Sequence, residues 1–282
     1  MKPYAVLLAS ALFATLPLAA QTPVDPKSPI PGYPDGRGPK GPVSVKIVSP
    51  TPGEVIPFPA AVEGQPAPKG ARVEVKVTVE NFETFKDEAT GKGQHVQLVL
   101  DGRALSDWFD TSKPWIFPAL GKGTHNLLAF VQRPWEESIR EASAFAAVTF
   151  VVGEKDGKPA FDPAQPTITI NAPRGKLKKA EAAKVFFDFF VTGCKVGPAT
   201  EAEACQVIYR LDQEPQKVLT AWAPAILENV PVGKHSIVVA LYKGEKRIDA
   251  PFALAQGAFE IVDEAAAPAV PAPAAPAAAP AG

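Results

Sequence analysis

Between residues 43 and 262 apolar and polar side chains alternate with a period of two. The clearest case is Arg72-Val-Glu-Val-Lys-Val-Thr-Val-Glu80, which sends Val73, Val75, Val77 and Val79 to one side and charged residues or Thr to the other. Such alternation predicts a half-buried antiparallel strand. The same reading predicts strands at 43–48, 95–101, 124–132 and 144–152, then at 166–171, 183–192, 206–212, 235–243 and 252–262. Asp101-Gly102 is a hairpin-turn signal between two strands. Helical patterning is confined to two short stretches, 177–184 and 199–204, and Trp108 to Phe117 reads as an inter-strand segment. Strand 183–192 is unusual in being apolar on both faces. Phe186, Asp188 and Phe190 oppose Val185, Phe187, Phe189 and Val191, so its outer side is expected to be covered.

The pattern occurs twice. His95-Val-Gln-Leu-Val-Leu-Asp101 is followed by Gly123-Thr-His125 and an apolar strand; Gln206-Val-Ile-Tyr-Arg-Leu-Asp212 is followed by Gly233-Lys-His235 and another. The two Asp lie 111 residues apart and the two Gly-x-His turns 110 apart. A residue repeated at the same turn of both copies is expected to serve the scaffold rather than a reaction. Copy one carries extra length in 56–70 and 81–94.

The strand pattern places the boundaries. Residues 1–20, with Lys2 ahead of an apolar run from Ala5 to Leu18 and Leu-Ala-Ala before Gln21, read as a secretory signal peptide. The run is short for a membrane span and contains Pro17, so no integral span is expected after its removal. Residues 21–42 read as a disordered Pro/Gly-rich leader. The tail, 264–282, is almost wholly Ala and Pro, and its five prolines veto a helix. Between these ends the expected domains are 43–153 and 166–263, joined by a polar linker at 154–165. The fold expected is all-β: two tandem sandwiches with disordered ends.

An apolar strand ending in Leu-Asp, a Gly-x-His turn and a second apolar strand resembles the immunoglobulin-like modules of bacterial envelope and secreted proteins. The resemblance spans about 43–152 and 166–262 and implies a fold class, with no chemistry attached. More loosely, Gly93-Gln-His95-Val-Gln-Leu-Val-Leu-Asp is similar to periplasmic domains whose strand begins Gly-His-His-His-Leu-Leu-Ile-Asp; two of those three histidines are replaced here.

Composition narrows function mainly by exclusion. A formal charge of −1 gives no basic excess for nucleic acid. Cys194 and Cys205, the two cysteines, flank a ten-residue loop and are expected to form a disulfide, as an even count in an exported chain suggests. Gly36-Arg-Gly-Pro-Lys-Gly41 matches G-x-G-x-x-G in letters but follows no strand and opens no helix. There is no G-x-S-x-G, H-E-x-x-H or P-loop. Acid pairs such as Glu136-Glu137 fall in polar loops, and the histidines are His95 and the two duplicated turn residues. The reading expects no enzymatic activity, no cofactor and no metal. Copy one holds the surplus aromatics: Trp108, Phe109, Trp115 and Trp135, with His95 beside them, are the candidate ligand contacts, and the other reading of the rings is core or inter-domain packing, with Trp115 as the counterpart of Trp222. The expected role is a non-catalytic binding or structural module of the bacterial cell envelope, periplasmic or secreted, with an envelope protein or a polysaccharide as partner. The alternative is a carbohydrate-binding accessory protein using the copy-one aromatics.

Overall fold

A computed structural model describes residues 22–23, 37–88 and 91–263. Sixteen main strands build it, eight in each copy. Copy one contains β1 (Ser44–Ser49), β2 (Val55–Ile56), β3 (Ala71–Glu80), β4 (His95–Leu100), β5 (Arg103–Trp108), β6 (Trp115–Leu120), β7 (Gly123–Gln132) and β8 (Phe145–Val152). Copy two contains β9 (Thr167–Ala172), β10 (Gly175–Lys178), β11 (Lys184–Thr192), β12 (Ala204–Leu211), β13 (Lys217–Leu219), β14 (Ala225–Glu228), β15 (Gly233–Lys243) and β16 (Leu254–Val262). Each strand of copy two is therefore the counterpart of the strand eight numbers earlier.

Each copy is a sandwich with the same pairing. One sheet runs β1-β3-β6 and its partner β2-β8-β7-β4-β5; the second copy repeats this as β9-β11-β14 and β10-β16-β15-β12-β13. The first strand of each copy crosses between sheets: β1 pairs antiparallel with β3, then β2 pairs parallel with β8. A cis proline marks the crossing in both, at Ser49–Pro50 and Ala172–Pro173. This is an immunoglobulin-like strand arrangement. Thr22–Pro23 adds a two-residue parallel pairing to the free side of β13.

Alternation fills each core. Val73, Val75 and Val77 of β3 are buried with Leu98 of β4, Leu127 and Ala129 of β7, and Phe150 of β8. Copy two packs Phe187 and Phe189 of β11 against Tyr209 of β12 and Leu241 of β15. Cys194 and Cys205 are bonded to each other, with Cα atoms 6.2 Å apart. No helix among the described residues is long and apolar enough to cross a membrane.

Two sequence expectations change. The Trp108–Phe117 segment is not all loop: Trp108 closes β5 and Trp115 opens β6. Pro114 and Pro118 conceal β6, which lies at a sheet edge where proline is tolerated. The two helical stretches yield a single 3-10 turn at Lys179–Glu181, while 199–203 is turn and Ala204 begins β12. The expectations for 1–20 and 264–282 fall outside the described residues. So does most of 21–42, although Arg37 lies 3.7 Å from the Phe85 ring and Lys40 N–H donates to the Asn81 carbonyl.

The copies are fused side to side. Val99, Leu128 and Phe130, on the outer face of the larger copy-one sheet, form a buried cluster with Phe190 of β11. Phe190 stacks on Phe130 and Phe145 and meets Trp222 edge-on. Copy one thus covers the outer face of 183–192 at Asp188 and Phe190, while Phe186 stays half-buried. The linker lies along copy one as well. Asp156 accepts from the Thr124 amide at 3.0 Å, and the Phe161 amide donates to Asn126 Oδ1 at 2.8 Å.

Candidate functional site

The duplicated turn is a latch in both copies. Asp101 and Asp212 end their strands with φ of 51° and 47°, and Gly123 and Gly233 hold φ of 131° and 138°. In copy one His125 Nδ1 meets Asp101 Oδ2 at 2.8 Å, Nε2 meets the Gly121 carbonyl at 3.0 Å, and the Asn126 amide donates to Asp101 Oδ1 at 2.9 Å. In copy two His235 meets Asp212 Oδ2 at 2.7 Å and the Pro231 carbonyl at 2.8 Å, with the Ser236 amide on Asp212 Oδ1 at 2.7 Å. Each ring stacks obliquely on a phenylalanine, Phe150 or Phe259.

An imidazole whose two nitrogens both face oxygen acceptors satisfies both when doubly protonated. The hydrogen bond to Asp101 raises His125, against burial, and the Gly121 carbonyl adds to the rise. At His235 burial pulls downward, but Asp212 and the Pro231 carbonyl together outweigh it and the group is raised. Burial pushes both carboxyls up; the histidine and amide hydrogen bonds overcome this and hold Asp101 and Asp212 below the usual carboxylate range. Repetition of every contact in two separate sandwiches identifies these groups as parts of the scaffold.

A different constellation forms where the copies meet. Asp188 of β11 is fully buried. It accepts from Ser138 Oγ at 2.5 Å and Asn171 Nδ2 at 2.9 Å, and pairs with Arg140 of copy one. Beside this network Arg174, just past the crossing proline of copy two, bridges two copy-one carboxylates. It bonds Asp107 of β5 and lies 3.1 Å from Glu136 Oε2. His95 completes the group. Its Nε2 lies 3.4 Å from Asp107 Oδ1 and 3.1 Å from Gln132 Oε1, and its Nδ1 faces the Gly93 carbonyl at 2.9 Å.

His95, Asp107 and Glu136 bring ligand-type atoms within 4.8 Å of one another. The chain furnishes the cation for this group from Arg174. The Gln132 amide is oriented by donating to the Glu136 carbonyl at 2.7 Å, which turns its oxygen toward His95 Nε2. That nitrogen therefore faces acceptors on two sides, where a metal ligand needs a free lone pair. Along the sequence His95 stands apart from the two duplicated turn histidines. Pairing of β4 with β5 and the hairpin after β7 bring the two carboxylates to it from positions the sequence does not connect.

A cleft of about 630 Å³ opens over this bridge. Copy one contributes Lys92, Asp107, Trp135 and Glu136; copy two contributes Ala172 to Arg174, Lys176, Leu177, Ala180, Glu181 and the start of β11. Of the sequence candidates, Trp135 alone lines it. Trp108 is buried, with its indole N–H on the Asp110 carbonyl at 2.8 Å, and packs against half-buried Trp115 in the core of copy one. Phe109 leans on the His95 ring, which is buried. Trp115 pairs with Val75, and the copy-two residue at that place is Ala225, so Trp222 is not its counterpart. The cleft takes more of its lining from copy two than the aromatic surplus of copy one suggested.

No protein-family profile matches the chain, and no curated protein matches it. Among solved structures it is similar to fibronectin(III)-like modules of CbhA from Clostridium thermocellum, at 14% identity and a TM-score of 0.27, covering 79% of this chain and 96% of that one. It is also similar to SGBP-B of the mixed-linkage glucan utilization locus of Bacteroides ovatus, solved with a mixed-linkage heptasaccharide: 12% identity, TM-score 0.22, 78% and 70% covered. Human mucin-like protocadherin EC1-2 follows at 11% identity and a TM-score of 0.20, with 78% and 98% covered. The strand pairing described above defines the fold.

Proposed function

We propose that this chain is an exported, non-catalytic binding or structural module of the bacterial cell envelope, working in the periplasm or outside the cell. The observation that carries the reading is the fusion of two sandwiches through the buried Asp188 network and the Phe190 stack, which gives a rigid arm with a cleft between its halves. The side chains best suited to chemistry are already committed. The two turn histidines hold scaffold aspartates, His95 is enclosed by Gln132, Asp107 and Gly93, and the cysteines are bonded together. Loops and clefts on such a frame are where recognition concentrates. A disulfide suits an oxidising compartment, and Lys2 with the apolar run to Leu18 supports export.

The carbohydrate-binding alternative rests on Trp135, since Trp108 is committed to the core. The test is expression of the full chain in a bacterial host, followed by fractionation and intact mass. The reading expects a periplasmic or secreted product beginning near Gln21, with no free thiol and no hydrolase activity. A product retained in the cytoplasm with residues 1–20 intact would overturn the exported role.

A further inference from the structure

We infer that the cleft between the copies is a docking groove for an extended, acidic peptide segment, which adds a strand to the open edge of β11. The inference rests on reading the chain as a binding module and names the ligand class. Three observations converge on it.

The first is an unpaired strand edge. β11 has β9 on one side and β14 on the other. β14 pairs with Lys184 to Phe187, but β9 pairs only with Asp188 to Thr192. The reason is the crossing: after Ala172 the chain passes Pro173 and Arg174 and enters β10, which joins the other sheet beside β16. Among the described residues, Lys184 to Phe187 therefore have a strand on one side only, with Lys184 and Phe186 accessible and Val185 and Phe187 buried. Main-chain groups along such an edge are a template for a guest strand, and β-strand addition is a recurrent mode of peptide recognition. The guest would continue the line of β9, antiparallel to β11.

The second is the cleft beside that edge. Its lining includes Ala183 to Phe186, Pro173, Arg174, Lys176 and Leu177. Phe186 points away from the core that Val185 and Phe187 fill, and Trp135 of copy one forms the facing wall. A guest strand would thus have an apolar surface for its outward side chains. The volume, about 630 Å³, suits a few residues of extended chain and lies in the usual range of ligand clefts.

The third is charge. Arg174 satisfies Asp107 and Glu136, and Lys92 lies 3.9 Å from Glu181. The lining thus sets four cations against three carboxylates, and Lys176 and Lys184, both exposed, are the cations outside these pairs, standing across from Glu260 and Glu228 in the strand register. Opposed to them, an acidic segment is the complementary guest. An acidic saccharide would meet the same lysines and the same indole. The open main-chain edge favours the peptide, because a sugar has no use for alternating amide and carbonyl groups.

The experiment uses the full exported chain and a blocked peptide of alternating Glu and Val. A Lys-Val peptide and an oligogalacturonate serve as comparisons. Calorimetry measures affinity, and amide hydrogen exchange reads residues 184–187. The expected result is binding of the Glu-Val peptide, little binding of the other two, and slowed exchange at the amides of 184–187 that do not bond to β14. The double substitution Lys176→Glu with Lys184→Glu should weaken binding about tenfold or more. Ala180→Trp, on an exposed lining residue, should block it with the thermal transition retained. Failure of the peptide to bind, or binding without protection at 184–187, would overturn the inference. Binding of the oligogalacturonate with the peptide inert would assign the groove to saccharides instead. Cell fractionation tests export separately, so a cytoplasmic product and an inert groove are distinguishable outcomes.

Discussion

Phe190 of β11 stacks on Phe130 of β7, with ring centroids 4.9 Å apart and planes 18° from parallel. The contact joins the outer face of one sandwich to the outer face of the other. It explains why 183–192 carries large apolar residues on both sides: Phe187 and Phe189 fill the core of copy two, and Phe190 fills the junction. A Phe buried this way is expected to cost about 3–5 kcal/mol when truncated to Ala. The loss falls on the junction, so Phe190→Ala should split a single calorimetric transition into two. An unchanged single transition would show that the ring does not couple the copies.

Asp188 and Arg140 form the polar counterpart of that stack. Removing one partner of a buried pair leaves the other uncompensated, at about 3–5 kcal/mol. Asp188→Ala and Arg140→Ala should each destabilise by that order, and the double variant by clearly less than the sum. Chemical denaturation of the three variants measures this, and strict additivity would contradict a direct pairing.

The duplicated latch gives a pH dependence with a defined sign. His125 and His235 are raised in the folded protein, so their contribution is full below the unfolded histidine value, about 6.5, and is lost as pH rises through the folded value. Asp101 and Asp212 are lowered, so theirs is full above about 3.9 and is lost as pH falls through the folded value. The stability gap between the native chain and Asp101→Asn should therefore be widest between about pH 4 and 6.5 and narrow on either side. Its size is expected to be about 1 kcal/mol, and smaller for Asp212, whose side chain is more exposed. A gap that stays constant from pH 5 to pH 9 would contradict the ionic character of the latch.

Gly123 and Gly233 separate two effects at equivalent turns. Both have positive φ, so alanine at either is strained by about 1–3 kcal/mol. A Cβ at Gly233 meets nothing within 4 Å, whereas one at Gly123 would collide with Asp156 Oδ2. Gly123→Ala should therefore also release the linker, seen as protease cleavage within 154–165, and Gly233→Ala should not. Equal cleavage in both variants would show that Asp156 does not anchor the linker.

The parts of the fold that local alternation governs were legible in the sequence. Val73 to Val79 of β3 and the paired Gly-x-His turns specify strands and their repetition through near neighbours alone. β6 was hidden by Pro114 and Pro118, and β2 and β10 by their brevity, since each forms only through parallel pairing with the last strand of its sandwich. The cleft was less accessible still. Arg174 meets Asp107 and Glu136 across 67 and 38 residues of chain, and no periodicity connects them. The legible sign of the junction was the outer face of β11, where Phe186 and Phe190 break the usual alternation of apolar and polar residues.

Cys194 and Cys205 close a short loop ahead of β12, and the chain-entropy account assigns such a bridge about 3 kcal/mol. Replacing both with Ala should lower the denaturation midpoint of copy two and leave copy one unchanged in the Phe190→Ala background, where the copies melt apart. A shift in the copy-one transition would place the bridge's effect elsewhere.

The central claim is that the copies form one rigid body. Spin labels at Lys46→Cys on copy one and Glu228→Cys on copy two, both exposed positions, test it through the distance distribution between them. The native cysteines are bonded together and leave no free thiol to take a label. The account predicts one narrow distribution in the otherwise native chain, which broadens when Asp188→Ala and Phe190→Ala are combined. A broad distribution with Asp188 and Phe190 in place would contradict it.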